Sequence, residues 1–173
     1  MPEPDIDASE QAHWYALHTR ARHERAVAAQ LYAKGVKTYV PCVREVHRWS
    51  DRKKIVEVPL FTSYVFVHDI FARANLRTLQ TYGVLRWIGS NGEATPIPDW
   101  QIHGIRSLTE NQVPISRHPF IRIGQRVRIR GGCLDGVQGI LVADNGDRKL
   151  VISIEMVQRS VATTVDGYQV EPA

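Results

Sequence analysis

The side chains best able to carry chemistry are scattered through this sequence rather than gathered. Seven histidines and two cysteines, Cys42 and Cys133, occur among 173 residues. None falls at a spacing that ligates a metal or forms a redox pair. No phosphate loop is present, and no nucleophile is paired with a base. No catalytic residue, metal site or cofactor is therefore expected, and the chain reads as a binding protein rather than an enzyme. The groups left are cations and aromatics. Seven Lys/Arg against two Asp/Glu lie between Lys34 and Lys54, a density that suits phosphate contact and equally suits a solvated surface. Arg73, Arg77 and Gln80 share one face of a helix by spacing. In the run Phe61-Thr62-Ser63-Tyr64-Val65-Phe66-Val67, Val65 and Val67 point to one side, Tyr64 and Phe66 to the other. Both sides are apolar, so this strand belongs in the middle of a sheet, covered by helices on one face and open to a partner protein on the other.

The elements that must position these residues follow from composition and period. Hydrophobic residues make up 43% and charged residues 23%, the balance of a soluble globular protein. No apolar run approaches the roughly 20 residues of a membrane span. Residues 1–12 read as a disordered acidic tail; the stretch lacks the basic start and apolar middle of an export signal. That implies a cytoplasmic, reducing compartment, with the cysteines as small hydrophobes.

His13 to Thr19 reads as a strand. A helix follows from His23 to Ala33, with Val27, Ala28, Leu31 and Tyr32 as its apolar stripe and Gly35 as its stop. Thr38 to Pro41 is extended, a polar hairpin turns through Trp49-Ser50-Asp51-Arg52, and Ile55 to Val58 returns. A second helix, Ala72 to Thr81, turns Leu76 and Leu79 inward. A strand, Val84 to Ile88, ends at an Asn91-Gly92 turn. A third helix, Asp99 to Thr109, buries Ile102, Ile105 and Leu108. Together these give an α/β sandwich over residues 13–110. Residues 111–119, with Pro114 and Pro119, form a linker. Residues 120–173 hold about five short strands with crowded glycines and an Asn145-Gly146 turn, the pattern of a small β-barrel. The fold class is α+β.

This order of parts resembles the NusG family from His13 to Pro172. The front carries Trp14-Tyr15, Tyr39-Val40-Pro41 and Pro59-Leu60-Phe61-Thr62-Ser63-Tyr64-Val65-Phe66-Val67, as in the family's N-terminal NGN domain. The back carries Gly124-Gln125-Arg126-Val127-Arg128-Ile129, Gly132, Gly136, Val137 and Gly139, as in the KOW motif of an SH3-like barrel. Trp49-Ser50-Asp51-Arg52-Lys53-Lys54 with Pro59-Leu60-Phe61 resembles the UpxY-type antiterminators, relatives of RfaH. Where the family usually has Pro-Gly before the strand tyrosine, this chain has Thr62-Ser63.

The resemblance implies a monomeric transcription elongation and antitermination factor acting on a long operon, such as one for polysaccharide biosynthesis. The alternatives are a housekeeping NusG-type factor and a ribosome-associated RNA-binding protein. The first domain is expected to grip the clamp helices of RNA polymerase through Phe61, Tyr64 and Phe66; for Phe61, core and contact are equal readings. A basic face, comprising Arg20, Arg22, His23, Arg73, Arg77 and Gln80, is expected on the non-template DNA strand, a solvated face being the alternative. The barrel is expected to recruit a small-subunit ribosomal protein or Rho. Gly132, Gly136 and Gly139 are structural turn residues, and Arg126, Arg128 and Arg130 read as a solvated strand face. Some relatives refold the barrel into helices; the β-branched Val151, Ile152, Ile154, Val161 and Val165 favour strands here.

Overall fold

The computed structural model describes residues 11–90, 93–121 and 124–173. The acidic tail up to residue 10 and the Asn91-Gly92 turn lie outside them. Contacts gather the chain into two units: residues 1–40 with 62–98, and residues 41–61 with 99–173.

The first unit is built on a four-stranded sheet, β2-β5-β1-β6. Its strands are β1 (His13–Thr19), β2 (Lys37–Tyr39), β5 (Tyr64–Asp69) and β6 (Val84–Trp87). The expected central strand is central: β5 pairs antiparallel with β1 and with β2. Helices α1 (Glu24–Ala33) and α2 (Phe71–Leu79) cover one face. There Tyr15, Leu17, Val65, Val67 and Trp87 of the sheet pack with Val27, Leu31 and Ala74 of the helices. Burial pushes the Tyr15 phenol above its ordinary pKa.

Two helical residues sit where periodicity alone did not place them. Leu76 and Leu79 are 68% and 46% exposed, and α2 instead buries Ala74 and Thr78. The cause is Phe71, which belongs to the helix. Its ring lies 5.7 Å from Tyr15 and 5.4 Å from Trp87, and Trp87 Nε1 donates to Asn75 Oδ1 at 3.0 Å. Anchors at 71, 74, 75 and 78 follow the i, i+3, i+4, i+7 pattern and turn the leucines outward. Tyr32, one position beyond the buried Leu31, is also exposed.

The strand at the centre starts later than its apolar run. Phe61 to Ser63 form a turn, and β5 begins at Tyr64. Ser63 has φ +68°, in the region that suits glycine. Two bonds hold it there. Its N–H donates to Glu24 Oε1 at 2.6 Å, and its carbonyl accepts from the Thr19 N–H at 2.9 Å. Glu24 is buried and is the first residue of α1, where a carboxylate suits the helix dipole. A side-chain anchor thus does the work that Pro-Gly does elsewhere in the family pattern.

In the second unit, β3 (Cys42–Arg48) and β4 (Lys53–Pro59) form a two-stranded hairpin. A six-stranded antiparallel sheet, ordered β14-β10-β11-β12-β13-β9, makes the barrel from β9 (Ser116–His118), β10 (Gln125–Arg130), β11 (Gln138–Asp144), β12 (Asp147–Ile154), β13 (Arg159–Thr164) and β14 (Gln169–Pro172). The Asn145-Gly146 turn joins β11 to β12, both residues at positive φ, as a tight hairpin requires. Helix α3 (Asp99–Glu110) lies against β11 and β12 and buries Ile102, Ile105 and Leu108 as expected. Leu150 to Ile154 are consequently buried in succession, the mark of a strand covered on both sides.

Residues 111–119 are not merely a connector. Ser116 to His118 pair with Ser160 to Ala162, and Thr163 Oγ1 donates to the Pro114 carbonyl at 2.8 Å. Prolines at 114 and 119 bracket the short strand, which suits an edge position.

Glu24→Ala should lower stability by about 1.5–3 kcal/mol, the range for a hydrogen bond to a charged group. Ser63→Gly should raise stability by about 0.5–1 kcal/mol, because it relieves a left-handed side chain. Chemical denaturation of the two variants beside the parent checks both signs.

Candidate functional site

On the sheet face away from α1 and α2, β1 and β5 set three cross-strand pairs side by side: Trp14 with His68, Ala16 with Phe66, and His18 with Tyr64. The Trp14 and His68 rings are 5.0 Å apart, and His18 stacks on Tyr64 at 5.5 Å. The Lys37 ammonium lies 5.7 Å from the Trp14 ring. The three residues expected to touch a partner differ in exposure. Phe61 and Phe66 are fully buried, whereas Tyr64 is half-buried. Of the three, Tyr64 alone offers side-chain surface; the face expected to lie open is otherwise largely buried, with Trp14, Ala16 and Phe66 at 6%, 0% and 0% exposure.

A second constellation forms at one end of the same unit, where the β1–α1 junction meets the α2–β6 turn. The Arg20 N–H donates to the Gly83 carbonyl at 2.8 Å, and Gln30 Nε2 donates to the Tyr82 carbonyl at 3.2 Å. These bonds bring Tyr82 against the expected basic residues. The Arg20 guanidinium is 5.4 Å from the Tyr82 ring centre, and the His23 ring is 5.8 Å from it, edge-on. His23 Nδ1 donates to the Ala21 carbonyl at 2.9 Å, which leaves Nε2 as the acceptor in the neutral ring. Arg22 is exposed, with φ +62°. Tyr82 is 65% exposed. Sequence spacing gave no hint of its role, because a tyrosine before glycine at a strand start usually faces the core. The usable signal was the glycine after it, which opens a turn near the basic junction.

The helix-borne part of the basic face divides. Arg73 and Gln80 are exposed. Arg77 is also exposed but is engaged: its guanidinium donates to the Lys34 carbonyl at 3.3 Å and to the Arg73 carbonyl at 3.2 Å. In return Lys34 Nζ donates to the Arg77 carbonyl at 3.2 Å and to Thr81 Oγ1 at 2.8 Å. The C-terminal ends of α1 and α2 carry partial negative charge, and two cations exchanged between them suit that field.

In the barrel, Gly132 and Gly136 take φ +70° and +80° on the turn after β10, in line with a turn role. Gly139 sits within β11 rather than in a turn. A Cβ there would stand 2.6 Å from the Val151 carbonyl oxygen, so what it permits is the close approach of β12. Two of the three β10 arginines have local partners, while Arg128 is half-buried with its Nε unpartnered. Arg126 lies 4.7 Å above the Trp100 ring. Arg130 pairs with Glu171 at 2.6 Å, which raises the guanidinium pKa further.

The family model described as "Transcription termination factor nusG" matches residues 12–106. The chain belongs to the NusG family. It is 23% identical over 185 aligned residues to the "Transcription termination/antitermination protein NusG" of Borreliella burgdorferi, covering 91% of this chain and 97% of that protein. The solved structure "Domain interaction in Thermotoga maritima NusG" superposes with a TM-score of 0.51 at 20% identity, covering 95% of this chain and 99% of that one. That likeness supports the fold, an NGN-like α/β unit followed by a KOW barrel. NusG proteins are transcription factors, not an enzyme family. Among the described residues no helix is long and apolar enough to cross a membrane.

Within this NusG fold Arg73 and Arg77 are predicted to separate. Arg77→Ala should lower stability by about 0.5–1.5 kcal/mol through its lost backbone bonds, and Arg73→Ala by less than about 0.5 kcal/mol. Paired melting curves measure the difference.

Proposed function

We propose that this chain is a transcription elongation and antitermination factor that binds the clamp helices of RNA polymerase through the β1–β5 face and suppresses pausing or termination. The observation carrying this reading is Tyr64: a half-buried aromatic stacked on His18, on the same sheet face as the Trp14–His68 pair. Aromatic anchors of that kind dominate protein interfaces because little side-chain freedom is lost on docking. Phe66, paired with Ala16 between Trp14–His68 and His18–Tyr64, is buried, as is Phe61. No bond is made or broken. The factor needs only a higher affinity for the active state of polymerase than for the paused state.

The Arg20–His23–Tyr82 corner is assigned to the non-template DNA strand, with Arg22, Arg73 and Gln80 alongside and Arg77 fixing the helix that carries Arg73. An exposed aromatic between cations suits unpaired bases, which stack on the ring while the cations meet phosphate. The KOW barrel is assigned a protein partner, a small-subunit ribosomal protein or Rho, in the cytoplasm. The specialised role on a long operon rests on the Trp49–Lys54 segment. The housekeeping role stands beside it, because the Borreliella relative aligns along nearly its whole length.

Tyr64→Ala should weaken binding to a clamp-helix fragment at least about 10-fold, the scale of an interface hot spot, while the melting temperature stays within a few degrees of the parent. Tyr82→Ala should leave that binding intact and weaken binding to single-stranded DNA by about 1–3 kcal/mol. Unchanged clamp binding by Tyr64→Ala, or collapse of its fold, would overturn the assignment.

A further inference from the structure

The β3–β4 hairpin pairs with no further strand among the described residues, and every side chain from Arg44 to Ile55 is exposed. Its register fixes two faces. Arg44 opposes Glu57, Val46 opposes Ile55, and Arg48 opposes Lys53 on one; Glu45 opposes Val56 and His47 opposes Lys54 on the other. The acids have neighbours within the ribbon. Glu57 is 3.9 Å from Arg44, Glu45 is 3.4 Å from His47, and Asp51 is 3.9 Å from Arg52. Arg48, Lys53 and Lys54 have no acidic partner among the described residues.

Those cations do nothing for the ribbon itself. Like charges directly opposite destabilise a strand pair, and Arg48 directly faces Lys53. Beside them Val46, Trp49 and Ile55 are 60%, 66% and 66% exposed, and Trp49 borders an open recess with Arg52, Lys53 and Lys54. The tip therefore combines unpaired positive charge on both faces with uncovered apolar surface.

We propose that this hairpin enters the major groove of duplex DNA. A groove presents phosphates along both walls, so a ribbon with cations on both faces is matched on both. A single strand, or a flat acidic surface, would meet only one face. A major groove about 12 Å wide and 8.5 Å deep admits a two-stranded ribbon. The span from the Val46–Ile55 pair to Trp49 is three residues, about 10 Å, so the apolar side chains line the depth of the groove where thymine methyl groups lie. An A-form RNA duplex has a major groove too narrow for this entry. The hairpin shares no residue with the polymerase patch or the Arg20–Tyr82 corner, and its proposed role needs neither.

Fluorescence anisotropy of the full chain on a labelled duplex of about 20 base pairs, without polymerase, from about 50 to 200 mM salt, tests the proposal. Three phosphate contacts account for a slope of about 2.7 in log affinity against log salt, a loss of about 40-fold over that range. Arg48→Ala/Lys53→Ala/Lys54→Ala should remove that share of the salt dependence. Trp49→Ala should weaken binding several-fold and leave the slope alone, and Arg117→Ala, at an exposed site on β9, should change neither. Circular dichroism should show parental strand content for each variant. Parental affinity and slope in the triple variant would overturn the proposal, as would binding of Tyr82→Ala, in which the single-strand corner is disabled, to single-stranded DNA or to an RNA duplex at least as tightly as to the DNA duplex. Because polymerase is absent, neither result bears on Tyr64.

Discussion

The ladder between β1 and β5 is the constraint on which the first unit depends. Its register puts Tyr15, Leu17, Val65 and Val67 under the helices and, in the same stroke, Trp14, His18, Tyr64 and His68 on the opposite face. A one-residue slip would exchange the two sets. What prevents the slip is the turn before β5, where Ser63 is locked between Glu24 and Thr19. A buried carboxylate at the start of α1 thus helps fix which aromatic residues face away from the helices. Stability and recognition draw on one set of bonds, so damage at Glu24 is expected to reach both.

The elements were largely legible in the sequence. The strand His13 to Thr19 has the limits that period and punctuation gave, and the third helix runs only one residue past them, to Glu110, because each carries an unbroken pattern with clear stops. The rotation of α2 was not legible. Leucines at 76 and 79 fit a helical stripe as well as Phe71, Ala74 and Thr78 do, and only the Tyr15–Phe71–Trp87 contact decides between them. Long-range packing overrode local hydrophobicity there. The strand hidden in residues 111–119 was missed for a related reason: a three-residue edge strand between prolines has too few positions to show alternation.

The candidate sites were legible in part. Charge and aromatic content pointed to the basic junction and to the strand at 64–67, but exposure could not be read from residue type. In the structure Tyr64 is half-buried, whereas Phe61 and Phe66 are fully buried. The structure adds Tyr82 to Arg20 and His23, and it gives Arg77 a local partner in Lys34. Gly139 proved to be a contact glycine inside a strand rather than a turn glycine. In each instance the deciding fact is a neighbour distant in sequence, which no local pattern reports.

The proposed function works by differential binding, so its effect would appear in the lifetimes of the polymerase states it binds. The most direct test is therefore the duration of a defined transcriptional pause, measured on single elongation complexes with and without the full chain. The account predicts shorter pauses in proportion to occupancy, an effect lost in Tyr64→Ala at the same concentration. Pause lifetimes that do not respond to saturating amounts of the chain, on templates with and without a recognised DNA element, would contradict it.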